Sequence, residues 1–66
     1  MNANTKIHPL THVWQKTPDS QPYRVRLLLR SVYLGEPVIK VTQNPEDTPD
    51  DDRQFWADPS ELTRLT

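Results

Sequence analysis

Between Tyr23 and Leu27 apolar and basic residues alternate one by one, and this alternation limits the fold more than any other property of the sequence. A period of two places the basic side chains on one face of a β-strand and the apolar ones on the other. A helix needs apolar residues three and four positions apart, and Pro22 and Gly35 leave too little room for a long one. The pattern therefore predicts a strand over residues 23–33.

The alternation breaks at three consecutive leucines, Leu27, Leu28 and Leu29. One interpretation is a β-bulge or sharp bend that shifts the inward face by one residue, as in strands that serve two sheets of a small barrel. The other interpretation is that Leu28 simply faces a partner residue or solvent. The sequence leaves both open.

A tight turn at residues 33–36 is expected to join this strand to a second one over residues 37–43. Gly35 is the only glycine of the chain, and a tight turn needs one residue at positive φ. Pro37 starts the second strand, where its missing N–H does least harm, and apolar and polar residues alternate after it. The sequence thus predicts a β-hairpin over residues 23–43.

Shorter elements are expected on both sides of the hairpin. One strand is predicted over about residues 11–16, another over residues 53–57, and a short last strand over residues 63–66. After the second of these, Asp58 is a capping residue, and Pro59 stands at the first helical position with an acid two residues later, which is the pattern that starts a helix. Only a few residues follow, so we expect a single 3₁₀ turn there.

The chain has 66 residues, a size that allows one small domain with a small core. We expect an all-β protein, a small barrel of about five strands over residues 11–66 behind a flexible lead of residues 1–10. Because the chain has no cysteine, a disulfide framework and a thiolate zinc site are excluded. No apolar stretch has the length of a secretory signal or a membrane span, so we expect a soluble cytoplasmic protein without membrane contact.

Three segments, residues 23–25, 38–41 and 55–62, give an order of strand, strand, and strand with a 3₁₀ turn. This order resembles a small SH3-like barrel, in which a meander of bent strands ends in a 3₁₀ turn before the last strand. The resemblance covers the chain from about Thr11 to its end. The chain is also similar to short bacterial and phage proteins of uncharacterised function, which have a Tyr-Arg-Val strand and a C-terminal segment that contains tryptophan and proline. None of these residues is a catalytic signature, so the resemblance implies an architecture and no activity.

The charged residues are segregated along the chain, although the formal net charge is only −1. Five of the nine acids lie without any base in an acidic loop of residues 44–52, and these acids are Glu46, Asp47, Asp50, Asp51 and Asp52. A solvated, flexible connection is the simpler interpretation, because such a segment has nothing to bury. The alternative is a contact surface for a partner, in which the loop mimics nucleic acid. The loop is also the segment in which this chain departs from many SH3-like barrels.

Four basic residues of the predicted hairpin form a second candidate contact surface, namely Arg24, Arg26, Arg30 and Lys40. A basic sheet face fits phosphates or an acidic partner. It is also typical of a solvated face whose arginine stems cover apolar surface. A further possibility is that the acidic loop folds over this face and masks it by ion pairing.

Trp56 and Tyr23 are the candidate aromatic anchors for a ligand or for nucleic-acid bases. Phe55 and Trp56 are adjacent, so in a strand they face opposite ways, and we expect Trp56 to be the exposed one. His8 and His12 lie four residues apart with a proline between them and no third ligand nearby, so no metal site is expected.

These observations favour a non-enzymatic binding module that acts through contact with an unidentified protein partner and needs no cofactor. No serine lies in a nucleophile motif, and a single glycine cannot build a phosphate-cradling loop. By analogy of size and architecture, one such role is that of a phage- or plasmid-type accessory regulator.

Two alternatives stay open at this point. One is a nucleic-acid-binding domain that uses the basic hairpin face, although a sequence pI of about 6.0 is low for a dedicated binder. The other is a small obligate oligomer subunit, because so small a core favours burial against a second copy.

Overall fold

The computed structural model describes residues 7–47 and 52–65. In these residues the chain forms five strands and one 3₁₀ turn, which are β1 (His12–Trp14), β2 (Tyr23–Tyr33), β3 (Glu36–Thr42), β4 (Gln54–Ala57), the 3₁₀ turn (Pro59–Glu61) and β5 (Leu62–Arg64). The all-β prediction is confirmed, and β2 has the bounds that its alternation predicts. Within the same residues, no helix has the length and apolarity of a membrane span.

The five strands form one antiparallel sheet in the order β4-β3-β2-β1-β5. Its central strand, β2, is shared between two neighbours, since Tyr23–Val25 pairs with β1 and the rest pairs with β3. The sheet is open, because β4 and β5 lie at opposite edges and do not pair with each other. Closure into an SH3-like barrel is therefore not confirmed. Most of the strand length lies in the hairpin, which leaves four residues for β4 and three for β5.

A β-bulge interrupts β2 at the three leucines. Leu27 lies opposite Val41 and Leu29 lies opposite Lys40, so Leu28 is the extra residue. The bulge follows the first interpretation of the broken alternation, and it separates the part of β2 that carries the core residues Val25 and Leu27 from the part that leads to the turn.

The core lies on one face of the sheet, which we call the inner face. Val25, Val41 and Ala57 are buried there, and five partly buried side chains pack against them, namely Trp14, Leu27, Ile39, Phe55 and Leu62. The opposite, outer face carries Lys40 and Trp56, which lie opposite each other on β3 and β4. Three apolar residues are buried among residues 7–47 and 52–65, which makes a small core.

Trp14 connects the first strand to the 3₁₀ turn. Its Nε1 donates to Glu61 Oε1 at 3.0 Å, and the same oxygen accepts the Asp58 N–H at 3.2 Å, which completes a capping box. The Asp58 carboxylate accepts hydrogen bonds from the backbone and the hydroxyl of Ser60, and both bonds hold the pKa of Asp58 below its ordinary value of 3.8. The turn thus forms around the capping residues that the sequence indicates.

Candidate functional site

The four basic residues of the hairpin do not share one face of the sheet. Arg24, Arg26 and Lys40 lie on the outer face, whereas Arg30 lies on the inner face opposite Ile39. The bulge is the reason, because one extra residue between Arg26 and Arg30 reverses the side to which the following side chains point. The predicted basic surface is therefore divided.

Arg26 is held inside the molecule and is only 9% exposed. Its Nε donates to the Asn44 carbonyl at 2.8 Å, and its Nη2 donates to the Glu46 carbonyl at 3.2 Å and lies 3.4 Å from Asp47 Oδ1. The start of the acidic loop thus folds over this part of the outer face, so Arg26 is not available as an exposed contact residue.

Asp47 binds two cationic or potentially cationic side chains at once. Its Oδ1 pairs with Arg26, and its Oδ2 accepts a hydrogen bond from His8 Nε2 at 3.1 Å. The hydrogen bond from His8 is the main reason why the pKa of Asp47 lies below its ordinary value of 3.8, and Arg26 lowers it further. We call His8, Arg26 and Asp47 the clasp, because they join three separate segments of the chain.

The described part of the N-terminal lead is tied to the acidic loop by its backbone as well. The His8 N–H donates to the Pro45 carbonyl at 2.7 Å, and Ile7 forms an isolated β-bridge with Glu46. Asp52, beyond the undescribed part of the loop, is exposed. The other two predicted acidic contact residues, Asp50 and Asp51, lie outside the described residues.

The two candidate aromatic anchors lie on opposite faces and do not form a common platform. Trp56 is 50% exposed on the outer face, with Lys40 Nζ 5.8 Å from its ring centre. Tyr23 lies on the inner face, where its ring stacks on Trp14 with centroids 6.1 Å apart. Phe55 contacts the core, so Trp56 is the exposed member of the adjacent aromatic pair, as its position predicts.

The end of the β2–β3 hairpin carries a group of exposed apolar side chains. An open groove of about 370 Å³ on this part of the molecule is lined by Ser31, Val32, Tyr33, Val38 and Trp56. Leu34 lies beside it at the tip and is 84% exposed. We call Val32, Tyr33, Leu34, Val38 and Trp56 the hairpin patch. Sequence reasoning included Trp56 alone of these residues, although the run from Val32 to Leu34 just before the turn glycine is a visible signal.

The turn itself holds a leucine in an unfavourable conformation. Leu34 has φ +52° and Gly35 has φ +81°, which are the two positive φ values of a two-residue type I′ turn. The sequence predicts positive φ at Gly35 but not at Leu34. A residue with a Cβ in this region costs roughly 1–2 kcal/mol, and asparagine, aspartate or glycine are the usual choices.

Comparison with protein-family models, with curated proteins and with solved structures gave no match to this chain. Among residues 7–47 and 52–65, no three His, Cys, Asp or Glu side chains are grouped so that they would hold a metal ion. The exposed apolar side chains around the groove make the hairpin patch the candidate site.

Proposed function

We propose that this protein is a non-enzymatic binding module that acts through protein–protein contact, with the hairpin patch as its contact surface. The observation that carries the proposal is Leu34, a large apolar side chain that is 84% exposed at a strained turn position. Folding alone favours a small polar residue there, so a strained and exposed leucine is a reason to look for a function.

The distribution of apolar residues supports the same surface. At the hairpin end the chain exposes Leu29, Val32, Tyr33, Leu34 and Trp56, whereas three apolar residues are buried in the part of the chain that the structure describes. Apolar surface contributes about 25 cal/mol per Å² when it is removed from water, and a contiguous exposed apolar patch is typical of an interaction site.

The position of the patch favours insertion into a partner. β4 covers β3 only from Ile39 to Thr42, and β1 covers β2 only up to Val25, so the hairpin end extends beyond its neighbours as a two-stranded ribbon. Trp56 lies beside its base with Lys40 next to it. A concave apolar pocket with a polar rim fits this shape, and tryptophan is enriched among residues that dominate binding energy.

Two finer points belong to the same proposal. Two features support a relation to the SH3-like architecture, although the sheet here is open. One is the bulged strand β2, which is shared by two parts of the sheet, and the other is the 3₁₀ turn before β5. A role as a phage- or plasmid-type accessory regulator is supported by size and architecture only. The nucleic-acid alternative is not favoured, because Arg26 is covered and Arg30 lies on the inner face. Tyr23 and Trp56 also lie on opposite faces of the sheet.

A comparison of captured proteins tests the proposal. Immobilised wild-type protein, Leu34→Asn, Trp56→Ala and the control Thr63→Ala are each incubated with bacterial lysate, and bound proteins are quantified by mass spectrometry. We expect a protein that the wild type and the control retain equally and that both patch variants lose by about tenfold or more. Two results would contradict the proposal. One is that the wild type captures no protein specifically, and the other is that both patch variants capture the same protein as strongly as the wild type.

A further inference from the structure

Among the described strands, none lies beside one side of β2 over residues 28–33. β1 pairs with β2 only over Tyr23–Val25, whereas β3 accompanies the other side as far as Tyr33. In an antiparallel ladder the backbone groups of alternate residues point to opposite sides of a strand. Among the described residues, none of the loop and turn backbone hydrogen bonds reaches this side of β2, so every second residue of this stretch offers an unpaired N–H and C=O.

The geometry of the turn shows which residues of β2 carry these unpaired N–H and C=O groups. In a two-residue hairpin the residues that flank the turn, Tyr33 and Glu36, exchange backbone hydrogen bonds with each other. Val32 and Arg30 then direct their N–H and C=O groups away from β3. Pro37 lies opposite Val32, and its missing N–H agrees with this assignment because that pair needs no hydrogen bond within the hairpin.

The other free edges of the sheet are short or carry a proline, whereas the β2 edge is longer and carries one charged residue, Arg30, and no proline. The free part of β3 carries Glu36 and Pro37, and a charge and a proline both oppose strand addition. The outer strands β4 and β5 have four and three residues. The β2 edge has no proline, and its side chains Leu29, Val32 and Tyr33 are exposed. An edge of this kind is a template for pairing with another strand.

We propose that this edge pairs with the same edge of a second copy of the chain, antiparallel about a two-fold axis, so that the two sheets become continuous. A second copy is argued from self-complementarity. With Ser31 opposite the partner's Ser31, Arg30 lies opposite the partner's Val32, and Leu29 lies opposite the partner's Tyr33. A register that placed Arg30 opposite itself would bring like charges together, which destabilises the pairing.

The dimer also compensates for the small core. A chain that fully buries so few apolar side chains gains stability by covering more of them, and oligomerisation is a common way for small domains to do so. The pairing adds about four backbone hydrogen bonds and covers part of the apolar surface of β2. Val32 and Tyr33 of the hairpin patch lie within the paired stretch, whereas Leu34 and Trp56 lie outside it. The inference goes beyond the proposed function and does not depend on it, because it rests on the backbone of the β2 edge.

Cysteine cross-linking tests the register directly, because the chain has no cysteine of its own. Residues at a non-hydrogen-bonded antiparallel pair have Cα atoms about 4.5 Å apart, which lies within the range that a disulfide spans. We expect Ser31→Cys to form a covalent dimer under mild oxidation at micromolar protein. Three control variants are expected to stay largely monomeric on non-reducing gels. They are Arg30→Cys and Val32→Cys, whose positions do not face the same position of the partner in this register, and Thr63→Cys on β5.

Sedimentation velocity with an edge-blocking variant tests the dimer itself. Val32→Pro removes an N–H that points away from β3, so the hairpin ladder stays intact. We expect the wild type to dimerise. The dissociation constant of the Val32→Pro dimer should be higher by about tenfold or more, because each copy loses a backbone N–H donor. Circular dichroism checks that this variant is folded, and Leu34→Asn, a variant of the hairpin patch, should dimerise like the wild type.

Three results would overturn the inference. They are a wild type that stays monomeric at the highest soluble concentration, a dimer that Val32→Pro leaves unchanged, and a disulfide that forms faster at position 30 or 32 than at position 31. A peptide that matches residues 27–33 and competes with the dimer would support it further. Because Leu34→Asn affects partner capture and not dimerisation, failure of this inference and failure of the proposed function are distinguishable.

Discussion

The two ends of the β2–β3 hairpin differ in the kind of side chain that they bury and expose. At the clasp end a charged side chain, Arg26, is covered and fully engaged by the backbone and by Asp47. At the tip a large apolar side chain, Leu34, is uncovered and strained. Residue type predicts the reverse, since arginine is usually exposed and leucine buried. The difference indicates that the clasp end contributes stability and that the tip is available for binding.

The largest effect is expected from breaking the clasp. Arg26→Met removes the donor of two backbone carbonyls and the partner of Asp47, and buried acceptors left without a donor should lower the free energy of unfolding by about 2–3 kcal/mol. Arg24→Met, two residues earlier on the same face and exposed, is the matched control and should change it by less than about 0.5 kcal/mol. Urea unfolding of both variants measures the difference, and equal values would contradict the structural role of Arg26.

The next effect concerns the backbone of the tip. Gly35 has φ +81° and no atom within 4 Å of an added Cβ, so Gly35→Ala should be destabilising by about 1–2 kcal/mol through strain and not through a clash. Leu34→Ala keeps a Cβ at the neighbouring position and should leave stability nearly unchanged. Thermal unfolding of the two variants compares them. A neutral Gly35→Ala would show that the turn is not of type I′.

A smaller change in the free energy of unfolding, of opposite sign, is expected at Leu34. At this residue one substitution should raise stability and lower binding. Leu34→Asn places a residue that tolerates positive φ at the turn, and we expect the free energy of unfolding to rise by about 0.5–1 kcal/mol while partner capture falls. Leu34→Val, a β-branched control, should lower stability. If Leu34→Asn destabilises the protein, the leucine contributes to the fold, and the argument for binding at the tip is lost.

The smallest effect is a loss of stability in acid. The pKa values of Asp47 and Asp58 are both lowered in the folded protein, by the hydrogen bonds from His8 and from Ser60 respectively. A lowered pKa stabilises the fold above the unfolded value of about 3.8 and loses that contribution as the pH falls through the folded pKa. Unfolding measured from pH 5 down to about pH 2 should therefore show declining stability, and Asp47→Asn should reduce the decline. A decline that Asp47→Asn and Asp58→Asn, tested separately, each leave unchanged would contradict this assignment.

The parts of the fold that depend on local pattern could be predicted from the sequence. The bounds of β2, the hairpin and the capped 3₁₀ turn follow from alternation, from Gly35 and from Asp58 with its neighbours. The contact of Asp47 with Arg26 matches the possibility, raised from the sequence, that the acidic loop covers part of the basic face by ion pairing. The contact of Asp47 with His8 could not be predicted, because these residues are 39 positions apart and meet only after the sheet has formed. Likewise, the positive φ of Leu34 is imposed by the two-residue turn, and leucine itself gives no sign of it.

The division of the basic residues shows a different reason for failure. Spacing alone places Arg26 and Arg30 on the same side, since four residues is a multiple of the strand period. One additional residue at the bulge breaks that rule, and the sequence of leucines admits both outcomes. A single position thus decides which charges share a face, although the strands before and after it form the hairpin that the sequence predicts.

The extra residue at position 28 also determines how the hairpin would respond to a change in its length. Because Leu27 lies opposite Val41 and Leu29 lies opposite Lys40, deleting Leu28 would join two pairs that are already consecutive. Every residue from Leu29 to Tyr33 would then keep its present partner and its present side of the sheet. The loss of one codon at this place would therefore remove the irregularity of β2 and leave both faces of the hairpin with the side chains they carry now.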